Sequence, residues 1–109
     1  YIKFAERART EALRAAGINQ SALWDVDNIG FVVRRLSCDY SRPARLDDAL
    51  MVETRLQEFG KASVSLTQIV KRGDDNLATL HVKLAIIDRD FKLVKLSGEL
   101  KQTLAKIFG

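Results

Sequence analysis

Few side chains in this sequence have the type and spacing typical of catalytic or metal-binding residues, and Glu6 is the first of them. On a helical projection Glu6 lies between Ile2 and Leu13, at the edge of an apolar face. A half-buried carboxylate in such a position can support catalysis. The alternative is structural, because Glu6 and Arg9 are three residues apart and can form an ion pair along a helix. Both interpretations stay open at this point.

The other reactive residues are explained more simply by structure. His81 is the only histidine, and no serine, cysteine or second histidine stands near it in a spacing typical of a catalytic triad or a zinc site. We interpret His81 as a histidine on the surface of a sheet. Cys38, the only cysteine, is predicted to be a small packed thiol, and Asp47 and Asp48 are predicted to form a turn. The sequence therefore predicts no metal site.

Length and composition limit the function classes. The 109 residues, 47% of them hydrophobic, suffice for a single domain, which we predict over residues 1–109. The net charge of +4 comes from basic residues scattered among acidic ones, which argues against a nucleic-acid partner. No apolar run approaches the ~20 residues that span a bilayer. A single cysteine favours a reducing compartment, so we expect a cytoplasmic protein.

A long amphipathic helix is predicted from Tyr1 to Ala16. Apolar and small residues recur there at spacings of three and four, which places them on one face. The predicted buried face consists of Tyr1, Phe4, Ala5, Ala8, Ala12, Ala15 and Ala16. Gly17 follows as a C-terminal cap, and Arg14 in the last turn suits the helix dipole. Because this face is mostly alanine, a sheet can approach the helix axis closely.

After a polar connection the periodicity of the apolar residues changes to two, which indicates β-strands. Four consecutive strands are predicted over residues 29–40, 50–57, 63–70 and 77–88, with a hairpin turn at residues 73–76. Ser97 is the predicted N-cap of a short closing helix, whose apolar residues are Leu100, Leu104, Ile107 and Phe108. One long helix, four strands and a short helix are typical of an α+β fold with an antiparallel sheet.

Two segments give the sequence a specific resemblance. The first, YIKFAERARTEALRAAGI, opens with a tyrosine and contains the run Glu6, Arg7, Ala8, Arg9. The second, FVVRRLSCDYSRPARLDDALMVETRL, contains Asp39 and Tyr40 at the end of a predicted strand, followed by Arg42, Pro43, Ala44 and Arg45. In this order and spacing the segments resemble the hotdog-fold 4-hydroxybenzoyl-CoA thioesterase family, and most closely its bacterial acyl-CoA thioesterase branch associated with the Tol-Pal envelope system. The resemblance covers essentially the whole chain and implies an antiparallel sheet wrapped round a long central helix.

The resemblance implies an acyl-CoA thioesterase and gives roles to particular residues. In the family a further strand and a loop with the catalytic aspartate precede the tyrosine that matches Tyr1, so this strand and loop are missing from the chain and the aspartate is expected upstream. Tyr1 would stand in the oxyanion region at the helix start, and Glu6 is the second catalytic candidate. The residues that bind the CoA phosphates in the family match Lys61, Ala62 and Ser63, although Lys61 could equally be a solvated turn lysine. No cofactor is expected, because CoA is part of the substrate.

The resemblance also implies an assembly of identical subunits. An isolated hotdog subunit exposes a sheet edge, so we expect a homodimer or a homotetramer. Acyl-CoA is the expected substrate, and an acyl carrier protein is a further candidate partner. The alternative function is a non-catalytic hotdog domain that binds acyl-CoA or an acyl carrier without turning it over.

Overall fold

The fold is a four-stranded antiparallel sheet with helices on one of its faces. The computed structural model describes residues 2–15, 17–18, 20–42 and 49–109. The elements follow in the order α1 (Ile2–Ala15), α2 (Gln20–Ala22), β1 (Ile29–Tyr40), β2 (Met51–Phe59), β3 (Ser63–Arg72), β4 (Asp75–Asp88) and α3 (Gly98–Phe108). This order confirms the predicted α+β class, the four consecutive strands and the closing helix.

The strands lie in the order β1-β4-β3-β2, and every neighbouring pair is antiparallel. Consecutive strands form the β2–β3 and β3–β4 hairpins, whereas the chain crosses the sheet between β1 and β2. The predicted turn between β3 and β4 is confirmed, and Gly73 supplies the positive φ of 60° that this turn uses. The predicted turn at Pro43, Asp47 and Asp48 lies outside the described residues.

One face of the sheet, which we call the inner face, carries the core. Alternate residues of β3 and β4 are buried there as the sequence predicted, namely Val64, Leu66, Gln68 and Val70 on β3 and Leu80, Val82, Leu84 and Ile86 on β4. Ala5 and Leu13 of α1 belong to the same core cluster, as do Leu104 and Phe108 of α3. Both helices therefore cover the inner face.

The buried stripe of α1 differs from the predicted one. Ala5, Arg9 and Leu13 are buried, whereas Phe4 is 39% exposed and Ala15 is exposed. The buried residues follow one another at a spacing of four, and the middle one is Arg9. A pattern of apolar residues could not predict that a charged side chain would be buried. The predicted face was therefore wrong at Phe4 and Ala15, because a polar partner on the sheet draws Arg9 inward.

The end of α1 confirms the predicted glycine cap. Gly17 has a φ of 87°, in the left-handed region. Its N–H donates to the carbonyl of Arg14 (3.0 Å), and the N–H of Ile18 donates to the carbonyl of Leu13 (2.9 Å). These two bonds form a Schellman motif, which satisfies carbonyls that have no helical partner. Ala16, the predicted last residue of the helix, lies outside the described residues.

The connection between α1 and β1 is more ordered than the sequence predicted. After α2, residues Leu23–Asp27 form a π-helical stretch. Arg89, just beyond β4, donates from Nε to Oδ1 of Asn28 (2.7 Å) and from Nη2 to the carbonyl of Trp24 (2.8 Å). Its guanidinium also lies 5.0 Å from the centroid of the Trp24 ring. The sequence did not predict this helical order, because these contacts join residues far apart in sequence.

Helix α3 begins as predicted. The Leu100 N–H donates to Oγ of Ser97 (3.1 Å), which makes Ser97 the N-cap. Leu104 and Phe108 are buried on the inner face beside β2. The helix thus closes one end of the core.

Candidate functional site

A buried polar network joins α1 to the inner face of the sheet. Arg9 is 7% exposed, and its Nη1 donates to Oε1 of Gln68, which is fully buried. The Nε2 of Gln68 donates to the carbonyl of Ala5 (2.9 Å) and to Oγ1 of Thr54 on β2 (3.1 Å). One glutamine therefore holds the first half of α1 against two strands.

The network places a positive charge inside the protein. Burial lowers the pKa of the Arg9 guanidinium, because the charged form loses hydration, while the negative charge of Glu6 acts in the opposite direction. The guanidinium still remains protonated at neutral pH. Arg9 donates to Gln68 and forms no close ion pair with Glu6 in the described part of the chain, although the two opposite charges still interact.

Glu6 lies at the opening of a small hollow between α1 and the sheet. The hollow has a volume of about 110 Å³ and is lined by Glu6, Arg9, Thr10, Leu13, Gln20, Phe31, Val33 and Leu84. Glu6 itself is exposed, because the buried stripe of the helix is centred on Arg9. The predicted half-buried position of Glu6 was therefore wrong, but Glu6 does border a recess whose lining combines apolar side chains with polar ones and the buried cation of Arg9.

The residues predicted to bind CoA lie where the chain enters β3. The carbonyl of Lys61 accepts from the Leu96 N–H (2.8 Å), and the carbonyl of Ala62 accepts from the Ile86 N–H (3.0 Å). These bonds fix the backbone, while the Lys61 side chain is exposed to solvent. Ser63 is buried. The segment is thus a rigid support for one exposed ammonium group.

The structure does not bring all the predicted site residues together in one chain. Ser63 alternates along β3 with Val64, which is buried on the inner face, so Ser63 belongs to the outer face. Glu6 borders a recess on the inner face. Tyr1, the predicted oxyanion residue, lies outside the described residues.

His81 and Cys38 have the positions that the sequence predicted. His81 is exposed on β4, opposite Ser37 on β1. Cys38 is half-buried, unpaired with another cysteine and packed against the core. Neither residue contributes to the recess beside Glu6.

No group of three or more His, Cys, Asp or Glu side chains within the described ranges is arranged to hold a metal ion. No helix in the part of the chain that the structure describes is long and apolar enough to cross a membrane.

Comparison with known proteins places this architecture in a family. The family model described as the thioesterase superfamily matches residues 1–79. The chain belongs to the thioesterase superfamily. This membership confirms the resemblance seen in the sequence.

Among the relatives of this thioesterase-superfamily chain, the acyl-CoA thioesterase YbgC of Haemophilus influenzae is 41% identical over 88 residues, which cover 81% of this chain and 65% of that protein. The match thus spans slightly less than two thirds of the relative. The long-chain acyl-CoA thioesterase FadM of Escherichia coli is 30% identical over 98% of this chain and 82% of FadM.

A solved structure confirms the predicted hotdog fold of the superfamily. The probable thioesterase from Bartonella henselae superimposes with a TM-score of 0.82 at 34% sequence identity, covering 89% of this chain and 81% of that one. The sheet that curves round α1 is therefore the hotdog arrangement expected from the resemblance.

The sequence pattern did not predict the buried hydrogen bond between Arg9 and Gln68. The alternation of β3 did place Gln68 on the buried face between Leu66 and Val70. A buried amide needs hydrogen-bond partners, and that requirement was the available signal. It could not identify Arg9 as the partner, because the two residues are 59 positions apart.

Proposed function

We propose that this protein hydrolyses acyl-CoA thioesters to a free acid and CoA. The observation that carries the proposal is the 41% identity to an acyl-CoA thioesterase over 81% of this chain. The hydrogen bond from Gln68 to the Ala5 carbonyl supports it, because it holds the early part of α1 in one position on the sheet. A fixed helix start is what an oxyanion site requires.

In the proposed reaction, an oxygen nucleophile attacks the thioester carbonyl and the C–S bond then breaks. The first N–H groups of a helix have no intrahelical partners, so the backbone at Tyr1 is our candidate donor to the developing oxyanion. An aspartate upstream of Tyr1 is the candidate nucleophile or general base, and Glu6 is the candidate within this chain. The proton lost by water ends on the CoA thiol. The reaction as proposed needs no cofactor and no metal.

Lys61 is the candidate contact to the CoA phosphates. Its ammonium group is exposed on a segment whose backbone is held by Leu96 and Ile86, which reduces the cost of ordering the site. Ala62 and Ser63 complete the candidate segment, with the Ser63 hydroxyl buried beside Gly60. We place the reaction in the cytoplasm, because the lone Cys38 suits a reducing compartment. An acyl carrier protein is a second candidate carrier of the acyl group.

The active assembly we propose is at least a homodimer joined along β1, with a homotetramer as the larger alternative. Ser63 and Glu6 lie on opposite faces of one sheet, so a second subunit can bring together groups that a single chain keeps apart. An isolated open sheet with an unpaired strand edge favours such pairing.

The test is thiol release from a panel of short-chain, long-chain and aromatic acyl-CoA substrates by the full-length encoded protein. We expect hydrolysis, and we expect Lys61→Gln to raise KM about tenfold with little change in kcat, because one charge-assisted contact is lost. Lys92→Gln, which removes another exposed lysine elsewhere, is the control and is expected to leave both constants unchanged. Binding of acyl-CoA without thiol release on any substrate would support the non-catalytic alternative instead.

A further inference from the structure

The outer face of the sheet contains an open hollow at a row where both edge strands are bulged. The register of β1 shifts just before Arg35, and the register of β2 shifts just before Glu58. These two residues end one row across the sheet, Arg35–Lys83–Ser65–Glu58. A bulge bends its strand and increases the local twist, so two bulges in one row deform the sheet there. The resulting hollow has a volume of about 320 Å³.

Two cationic side chains and a histidine line this hollow. Arg35 and Lys83 lie directly opposite each other on β1 and β4, and His81 follows Lys83 by two residues on the same face. Like charges directly opposite one another destabilise a sheet. Among the described residues, none of these three side chains forms an ion pair or a hydrogen bond. The sheet thus holds two cations close together, and neither has an ion-pair partner among the described residues.

Hydroxyl groups lie beside these cations. Ser65 on β3 is opposite Lys83, and Ser37 on β1 is opposite His81; both serines line the hollow. Cations combined with hydroxyl donors are the groups that recognise phosphate oxygens. Glu58 on the rim carries the opposing charge and would weaken binding of an anion.

We propose that this hollow binds a small phosphate-bearing dianion between Arg35 and Lys83, with Ser37, Ser65 and His81 as further donors. The anion neutralises the two opposed cations, so binding relieves a repulsion that the empty sheet contains. The inference does not depend on the proposed hydrolysis, because neither Glu6 nor Lys61 lines this hollow.

The test is a titration of the full chain with inorganic phosphate, in which binding is monitored through the NMR chemical shifts of the backbone amides of β1 and β4. We expect saturable shifts in the wild type. The affinity for phosphate should be weaker by about tenfold or more in the double variant Arg35→Gln/Lys83→Gln, and about twofold tighter in Glu58→Gln. The matched control Lys92→Gln/Lys95→Gln removes two exposed cations elsewhere, so its net charge equals that of the double variant while its affinity should equal that of the wild type.

Folding of the double variant is checked separately by its thermal midpoint without phosphate, which we expect at or above the wild-type value because a like-charge pair has been removed. No saturable shift in the wild type, or equal weakening in the control variant, would overturn the proposal.

A competition experiment identifies the source of the phosphate group. Displacement of phosphate by CoA but not by 3′-dephospho-CoA would identify the nucleotide phosphate as the natural ligand, and displacement by neither would identify free phosphate.

Discussion

The buried pair of Arg9 and Gln68 combines two opposing contributions to stability. Burial removes hydration from the guanidinium, which costs free energy and lowers its pKa. The hydrogen bond to Gln68 offsets part of that cost, and Gln68 in turn satisfies the Ala5 carbonyl and the Thr54 hydroxyl. Removing one member of the pair leaves a polar group buried without its partner.

We expect Arg9→Met to lower the free energy of unfolding by about 2 kcal/mol, because Oε1 of Gln68 loses its charged donor. Arg9→Met/Gln68→Leu should cost less than the sum of the two single substitutions, since no unpaired amide remains in the double variant. Urea denaturation of the four proteins measures this coupling. Strictly additive values would mean that the hydrogen bond between the two side chains contributes nothing to stability.

The ion pairs of Glu53 on β2 make the stability of the fold depend on pH. Hydrogen bonds from Lys71 (Nζ to Oε2, 2.7 Å) and then from Arg55 hold the pKa of the Glu53 carboxyl below its ordinary value. Because the folded pKa lies below the unfolded one, the stabilisation is present above the unfolded pKa of about 4.3 and is lost as the pH falls through the folded value.

We therefore expect Glu53→Gln to be less stable than the wild type near neutral pH and to lose less stability on acidification from about pH 5 to pH 3. Thermal midpoints measured across this range in phosphate-free buffer test the expectation. Glu58→Gln is the control, because the Glu58 carboxylate forms no ion pair among the described residues. If the thermal midpoints of the wild type and Glu53→Gln fell in parallel as the pH is lowered, Glu53 would not be the source of this pH dependence.

The elements that sequence could predict are those with a strong local pattern. The alternation in β3 and β4 fixes which side chains enter the core, and Gly17 and Ser97 mark helix ends by their local chemistry. The helical connection after α1 was missed, because its order depends on Arg89 reaching Trp24 from 65 residues away. Long-range polar contacts of this kind leave no periodic signal in the sequence.

The N-cap of α3 should contribute measurably to the stability of the fold. Ser97→Ala removes the acceptor for the Leu100 N–H, and we expect it to lower the free energy of unfolding by about 1 kcal/mol. Ser97→Asp keeps an acceptor at the same position and should retain the wild-type stability. Chemical denaturation compares the two variants, and equal losses in both would show that the side-chain cap is not the source of the effect.

At the level of the whole molecule, the two sheet edges differ in chemistry. In the part of the chain that the structure describes, β1 and β2 are both edge strands. The β2 edge carries Glu53 and Arg55 in an ion pair, which discourages pairing with another strand. The β1 edge is twelve residues long and exposes two adjacent valines, Val32 and Val33. The longer, more apolar edge is therefore the one we expect to meet a second subunit.

Val32→Lys tests this choice of edge. Val32 is 39% exposed on the outer face of β1, and a two-fold interface would place the introduced charge at the interface twice. We expect the wild-type chain to have at least twice the monomer mass of 12.3 kDa by light scattering coupled to gel filtration, and Val32→Lys to shift towards the monomer. Val26→Lys, at a more exposed valine outside the sheet, is the matched control and should leave the mass unchanged. If β2 were the interface strand instead, Val32→Lys would keep the wild-type mass, and charge reversal at Arg55 would be the substitution that dissociates the dimer.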